Sequence, residues 1–256
     1  MPFDESHPVL NIPKTDITIW RYMDIPSFLS LLTNNTLVFV RGDLFEDKYE
    51  GTVPKLTADL LDAQTRKEIE EGKTLKEYWN YSALLNKNNK NTYLNCWCKE
   101  SHEMVHMWKI YSKENGVAIE SKYSKLKKSI STKEPIYPTE VKYIDFKNEA
   151  IDWERNLMKL YTIKRFEYKS ESEFRLLISH PRVLEDKLLD VDWEKKSLER
   201  AKLYYQTPVL HCKVDVKELI SEIHLSPYAP KWYLKFLKDL TAKYGLENVQ
   251  ITQSDL

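Results

Sequence analysis

Glu171-Ser-Glu-Phe-Arg-Leu-Leu-Ile178 is the stretch on which the fold reading turns. From Glu173 onward it is short, apolar and free of Gly and Pro, which predicts a strand over Glu173 to Ile178. Side chains alternate across a strand, so Glu171, Glu173 and Arg175 share one face while Phe174, Leu176 and Ile178 share the other. A strand with one apolar face fits a half-covered, antiparallel sheet.

Working outward, the alternating, β-branched stretch Thr15 to Met23 predicts a strand, followed by a helix with Asp24 as its N-cap, Pro26 in its first turn and Asn34-Asn35 at its end. Further strands are expected at Thr36 to Val40, Tyr93 to Lys99, Gly116 to Glu120, Glu140 to Tyr143, Thr207 to Val214, Glu222 to Leu225 and Val249 to Thr252. Helical spacing predicts two amphipathic helices between Lys55 and Asn86, a short aromatic helix over Met104 to Tyr111, a helix over Lys147 to Thr162, and a last one from Pro230 to Tyr244 ended by Gly245. Arg41 to Pro54 reads as an acidic, irregular loop. The fold class expected is α+β: one domain over 1–256, with a central, largely antiparallel sheet and an inserted helical layer at about 55–90.

Composition bounds the function. The 256 residues contain 5 isolated Gly and 11 dispersed Pro, so no flexible tether divides the chain. Lys+Arg and Asp+Glu balance at 39 each, and whole-molecule charge steers toward neither nucleic acid nor an anionic membrane. No apolar run approaches the ~20 residues a spanning helix needs. The polar start, with Pro2, Pro8 and Pro13, has no signal core, and Cys96, Cys98 and Cys212 are too few for a disulfide framework. The expected location is the cytoplasm, with no membrane partner.

Four groups of residues look familiar together: Trp20-Arg-Tyr22 with Leu29 to Leu37; Asp43 to Gly51; Met107-Trp-Lys-Ile-Tyr111 with Gly116-Val-Ala-Ile119; and Glu171-Ser-Glu-Phe-Arg175. Their order and spacing resemble the bacterial family known as domain of unknown function 2971. The opening strand with Arg, its following Leu-rich helix and a late Glu-x-Glu strand also distantly resemble ADP-ribosyltransferases. That resemblance implies NAD as substrate, Glu173 as catalytic carboxylate with Glu171 assisting, and Arg21 on the NAD phosphates or ribose. Tyr22, Trp108, Tyr111 and Arg175 would complete the NAD site. It further implies a macromolecular acceptor, protein or nucleic acid, in a toxin or anti-phage defence setting with an antitoxin or chaperone as partner. No Ser-Thr-Ser motif follows the middle strands.

The chemistry fits those residue types, because a carboxylate beside the ribose stabilises the oxocarbenium-like state formed as nicotinamide leaves. Trp108 and Tyr111 are three apart on the expected helix and so would share a face for stacking on a flat base. The same residues also admit plainer readings: Glu171, Glu173 and Arg175 as a solvated ladder, and the aromatic helix as core. Two further functions stay open. One is a Mg²⁺-dependent nuclease using Asp43, Asp47, Glu50, Glu171 and Glu173, with the lysine-rich run Lys122 to Lys133 on the strand; the other is a non-catalytic nucleotide- or partner-binding module. Cys96-x-Cys98 with His102 and His106 has poor zinc spacing, so no metal is expected there.

Overall fold

The computed structural model describes residues 2–72, 90–112, 114–152, 156–179 and 207–256. It is mixed α/β, built on a mostly antiparallel sheet. β1 (Thr18–Met23) enters α1 (Ile25–Asn34), and the Asp24 side chain accepts from the Ser27 amide at 2.9 Å as the sequence implies. Asn35, in the left-handed region at φ 49°, ends the helix and turns the chain into β2 (Thr36–Arg41). β3 (Thr92–Cys98), β4 (Val117–Lys122), β5 (Ile130–Ser131), β6 (Tyr137–Glu140), β9 (Glu173–Ser179), β10 (Val209–Val214), β11 (Glu222–Leu225) and β12 (Gln250–Gln253) complete the sheet. Its order is β12-β11-β4-β1-β3-β2-β10-β5, with β9 and β6 added on the other edge of β3.

β3 is the fork. One edge pairs with β9 from Thr92↔Ser179 to Cys98↔Glu173; the other pairs with β1 only at Cys98 and with β2 only at Tyr93 and Leu94. Two strands therefore leave from one edge. The backbone groups between them need other partners. Asn95 fills this gap, donating to the Val38 carbonyl at 2.8 Å and accepting from the Trp97 indole at 2.7 Å.

Alternation then sorts the two faces. Ile19, Met23, Tyr93, Trp97, Phe174, Leu176, Ile178, Ile119 and Ile223 form the main core with Phe28, Leu31 and Leu32 of α1. Leu126 of α4 (Tyr123–Ser129), Leu219 of α5 (Val216–Leu219) and Leu237 of α6 (Trp232–Ala242) pack there too. The other face carries a smaller aromatic cluster, Trp20, Tyr22, Met107 and Trp108, and the polar groups described below. α6 joins the parallel pair β11 and β12 as the β-α-β end expected from the sequence.

Several expectations need correction. No helix occupies the described part of Lys147 to Thr162. Asp145 instead accepts from the Lys147 and Asn148 amides to make a tight turn, and Asn156 caps a short 3₁₀ turn over Leu157–Tyr161. The strand expected at Glu140 to Tyr143 breaks at Val141: β6 stays with β9, while β7 (Lys142–Ile144) leaves to pair in parallel with β8 (Ile163–Arg165). Of the two helices expected between Lys55 and Asn86, α2 (Lys55–Glu70) is present; the rest of that span, 73–86, lies outside the described residues.

Candidate functional site

β9 delivers Glu173 and Arg175 to the face opposite the main core, and every residue of this strand is buried. Arg175 is fully enclosed. Its guanidinium donates to Glu50 at 2.7 and 2.9 Å, to Glu173 at 2.7 and 3.1 Å, and to the Tyr161 carbonyl at 3.0 Å, using its full set of five donors. Glu50 comes from the acidic loop between β2 and α2, just before Gly51, whose φ of 66° turns the chain away.

The small β7-β8 pair supplies two more groups. Tyr143 and Lys164 are directly opposite in register and so face the same way. The Tyr143 hydroxyl accepts from the Glu173 amide at 2.7 Å, and the Lys164 ammonium bonds Glu171 and lies 3.3 Å from Glu173. Glu171 ends a 3₁₀ turn, Phe166–Glu171, and Ser172 at φ 44° separates it from β9. The two glutamates are thus gathered by one lysine rather than aligned on one strand.

The electrostatics follow from this pairing. Burial would raise the Glu173 carboxyl, but Arg175 and Lys164 outweigh it and hold it at about 2, so it is ionised at neutral pH. Glu50 goes the other way, raised by burial that Arg175 only partly offsets. Burial also pushes the Cys96 thiol well up, and that thiol donates to Glu173.

α3 (Val105–Met107) runs into a π turn, Trp108–Ser112. The wider turn separates the two rings expected to share a face. Trp108 points inward, fully buried, and donates to Glu103 at 2.9 Å; Tyr111 points outward, 45% exposed, and its hydroxyl reaches Glu171 at 3.3 Å. Tyr22 is also buried, accepts from the Met104 amide at 2.9 Å and meets Trp108 edge-on with centroids 5.0 Å apart. Gly116 is required behind this turn, because a Cβ there would meet the Ser112 Cβ at 2.3 Å and the Met23 carbonyl at 2.6 Å.

The expected NAD site is therefore only partly gathered. Glu171, Glu173, Arg175 and Tyr111 come together, and Tyr22 and Trp108 back the turn that carries Tyr111. As buried core rings, Tyr22 and Trp108 offer no open face for stacking. Arg175 has its donors filled by protein groups: it pairs with the carboxylates of Glu50 and Glu173, and no donor is left over for NAD. Arg21 alternates with Trp20 and Tyr22 onto the main-core face, where it lies 5.7 Å from the Trp97 ring centroid and donates to the Cys96 carbonyl at the fork. That placement parts Arg21 from the Glu173 face.

The five carboxylates of the nuclease reading are each paired with a cation: Asp43 with Arg41, Asp47 with Arg165, Glu50 with Arg175, Glu171 with Lys164, and Glu173 with both Arg175 and Lys164. Cys98 faces the Met104 sulfur and His106 the Ser170 carbonyl, so the Cys-His group is not assembled as a metal centre among the described residues. An open groove of about 540 Å³ includes Lys14, Thr18, Lys99, Glu100, Ser101 and Glu140 in its wall. Reciprocal bonds between Lys99 and Ser172 join this wall to the Glu171–Glu173 segment.

Sequence reasoning missed Lys164 and Tyr143, which only the β7-β8 pairing brings to Glu173. No family model, curated protein or solved structure matches this chain. Among the described residues, no helix is long and apolar enough to cross a membrane.

Proposed function

We propose that this protein transfers ADP-ribose from NAD to a macromolecular acceptor, protein or nucleic acid. Besides the motif resemblance, one observation carries the reading: Glu173 is held ionised beside Glu171, next to the half-exposed ring of Tyr111. In the reaction, the bond from the ribose C1′ to the nicotinamide nitrogen breaks, and its electron pair leaves with nicotinamide. The acceptor's nucleophile then bonds C1′ and gives its proton to solvent. The Glu173 carboxylate offsets the positive charge that builds on the ribose and accepts from its 2′-hydroxyl. Glu171 orients the acceptor.

Arg175 and Tyr143 are positioning residues here, fixing Glu173 from its side chain and its amide. Tyr111 supplies the stacking ring, in place of the enclosed Trp108. Restraint by an antitoxin or chaperone belongs to the same reading and would show as toxicity on expression without that partner.

The test is incubation of the full chain with labelled NAD and cell lysate, with protein and nucleic acid separated afterwards. Transfer by wild type, lost in Glu173→Gln and reduced in Tyr111→Ala, supports the reading and names the acceptor class. Because Glu173→Gln removes a partner of buried cations, its fold is checked by circular dichroism, and Tyr111→Ala provides a variant outside that ion network. Neither transfer nor nicotinamide release by folded wild type would overturn the proposal and leave a binding module.

A further inference from the structure

A second polar cluster lies across the same face of the sheet. The row that begins at Glu173 runs through Cys98, Trp20 and Glu120 to Glu222, each directly opposite the next on neighbouring strands. The adjacent row places Tyr22, Ala118 and His224 in register. Glu120, Glu222 and His224 thus converge from β4 and β11, with one ligand-type atom from each lying within 4.8 Å of the others.

Two features of this cluster ask for a cation. Glu120 and Glu222 are a cross-strand pair of like charges, an arrangement that costs stability when nothing lies between them. Neither is in an ion pair with Lys or Arg among the described residues. His224 supplies the second feature: its side chain is only 12% exposed, and its Nε2 atom is buried without a hydrogen-bond partner, 3.5 Å from Glu222.

The other ring nitrogen fixes what Nε2 can do. Nδ1 lies 3.1 Å from Glu103 and 3.3 Å from the Thr252 hydroxyl. An ionised carboxylate only accepts, so Nδ1 donates to Glu103 and Nε2 is the ring nitrogen turned toward Glu222, the atom with which a neutral imidazole would ligate a metal. Glu103 is itself fixed by the Trp108 indole. A carboxylate bonded to the far nitrogen of a histidine is the arrangement that orients imidazole toward a metal and raises its basicity.

We infer that Glu120, Glu222 and His224 Nε2 form a binding site for a first-row divalent cation, Zn²⁺ in the first place, with Glu103 as the outer carboxylate. One imidazole and two carboxylates suit Zn²⁺ or Mn²⁺ better than the all-oxygen preference of Mg²⁺ or Ca²⁺, and affinity rises from Mn²⁺ to Zn²⁺. Three protein ligands leave a coordination position for water. The cation would tie β4 to β11 and cancel the opposed charges. This site is separate from Glu173 and independent of the ADP-ribosyl transfer reading.

The experiment is equilibrium dialysis of chelator-stripped full-length protein against Zn²⁺, Mn²⁺ or Mg²⁺, with bound metal measured directly. Saturable binding of Zn²⁺ at one per chain, weaker binding of Mn²⁺ and none of Mg²⁺ are expected. His224→Ala and Glu120→Gln should abolish binding, Glu103→Gln should weaken it roughly 10–100-fold, and Tyr111→Ala should leave it unchanged. Absorbance of the Co²⁺-loaded wild type reports imidazole and carboxylate ligation without any variant. The inference is overturned if stripped wild type takes up neither Zn²⁺ nor Mn²⁺, or if folded His224→Ala binds as wild type does.

Discussion

The clusters around Glu173 and around His224 sit on one face of one sheet and solve the burial of carboxylates differently. Around Glu173, three glutamates are met by Arg175 and Lys164, and each negative charge has a cation in hydrogen-bonding contact. Around His224, the ion-pairing group that meets Glu103 and Glu222 among the described residues is an imidazole, with Lys122 and Lys125 acting on Glu120 at longer range. Burial and the facing Glu222 accordingly raise the Glu120 carboxyl, whereas Glu173 is lowered. Removing a charge should therefore have opposite signs in the two places.

The largest effect is expected for Arg175→Ala. It leaves Glu50 and Glu173 buried and facing each other without their shared cation, a loss of about 3–5 kcal/mol, read as a lower denaturation midpoint. A midpoint within error of wild type would break the comparison at its strongest point.

Acid should act on the same cluster. Glu173 has a folded value of about 2 against an ordinary 4.5, so its stabilisation is present above 4.5 and is lost as pH falls toward 2. Glu50 works in the opposite sense, since its carboxyl is raised, and softens the slope. Chemical denaturation across this range should show falling stability with a shallower slope in Glu173→Gln; equal slopes would remove Glu173 as the source.

Glu50→Gln is milder, because the amide keeps one acceptor for Arg175 and Glu173 still balances its charge. A loss of about 1–3 kcal/mol is expected, again from the denaturation midpoint. The smallest effect reverses sign: in metal-free protein, Glu120→Gln relieves a like-charge pair and should stabilise by about 0.2–1 kcal/mol. Destabilisation by Glu120→Gln under chelator would show that the two clusters are balanced alike.

Much of the chain's local order was legible. The Asp24 cap, the Gly116 turn, the β11-α6-β12 end and the alternation of β9 all follow from short-range rules, and the motifs of the sequence contain Glu171, Glu173, Arg175 and Tyr111, which the structure brings together. The helix expected over Lys147 to Thr162 failed where Asp145 and Asn156 side chains compete for backbone amides, a local contest that apolar spacing does not register. Glu222 and His224 are two apart on a strand, so their shared face was available to a period-two reading. Their meeting with Glu120 was not.

By itself, the sequence determined the β1-α1-β2 opening, the polar and apolar alternation of β9 and the β11-α6-β12 end, because caps, turns and alternation act over a few residues. The tertiary structure alone decided that Lys164 rather than a strand neighbour joins Glu171 to Glu173, that Arg175 is spent on Glu50, and that Arg21 serves the fork instead of the Glu173 face. Those outcomes depend on strand order and register, and a shift of one residue in register exchanges the two faces of a strand.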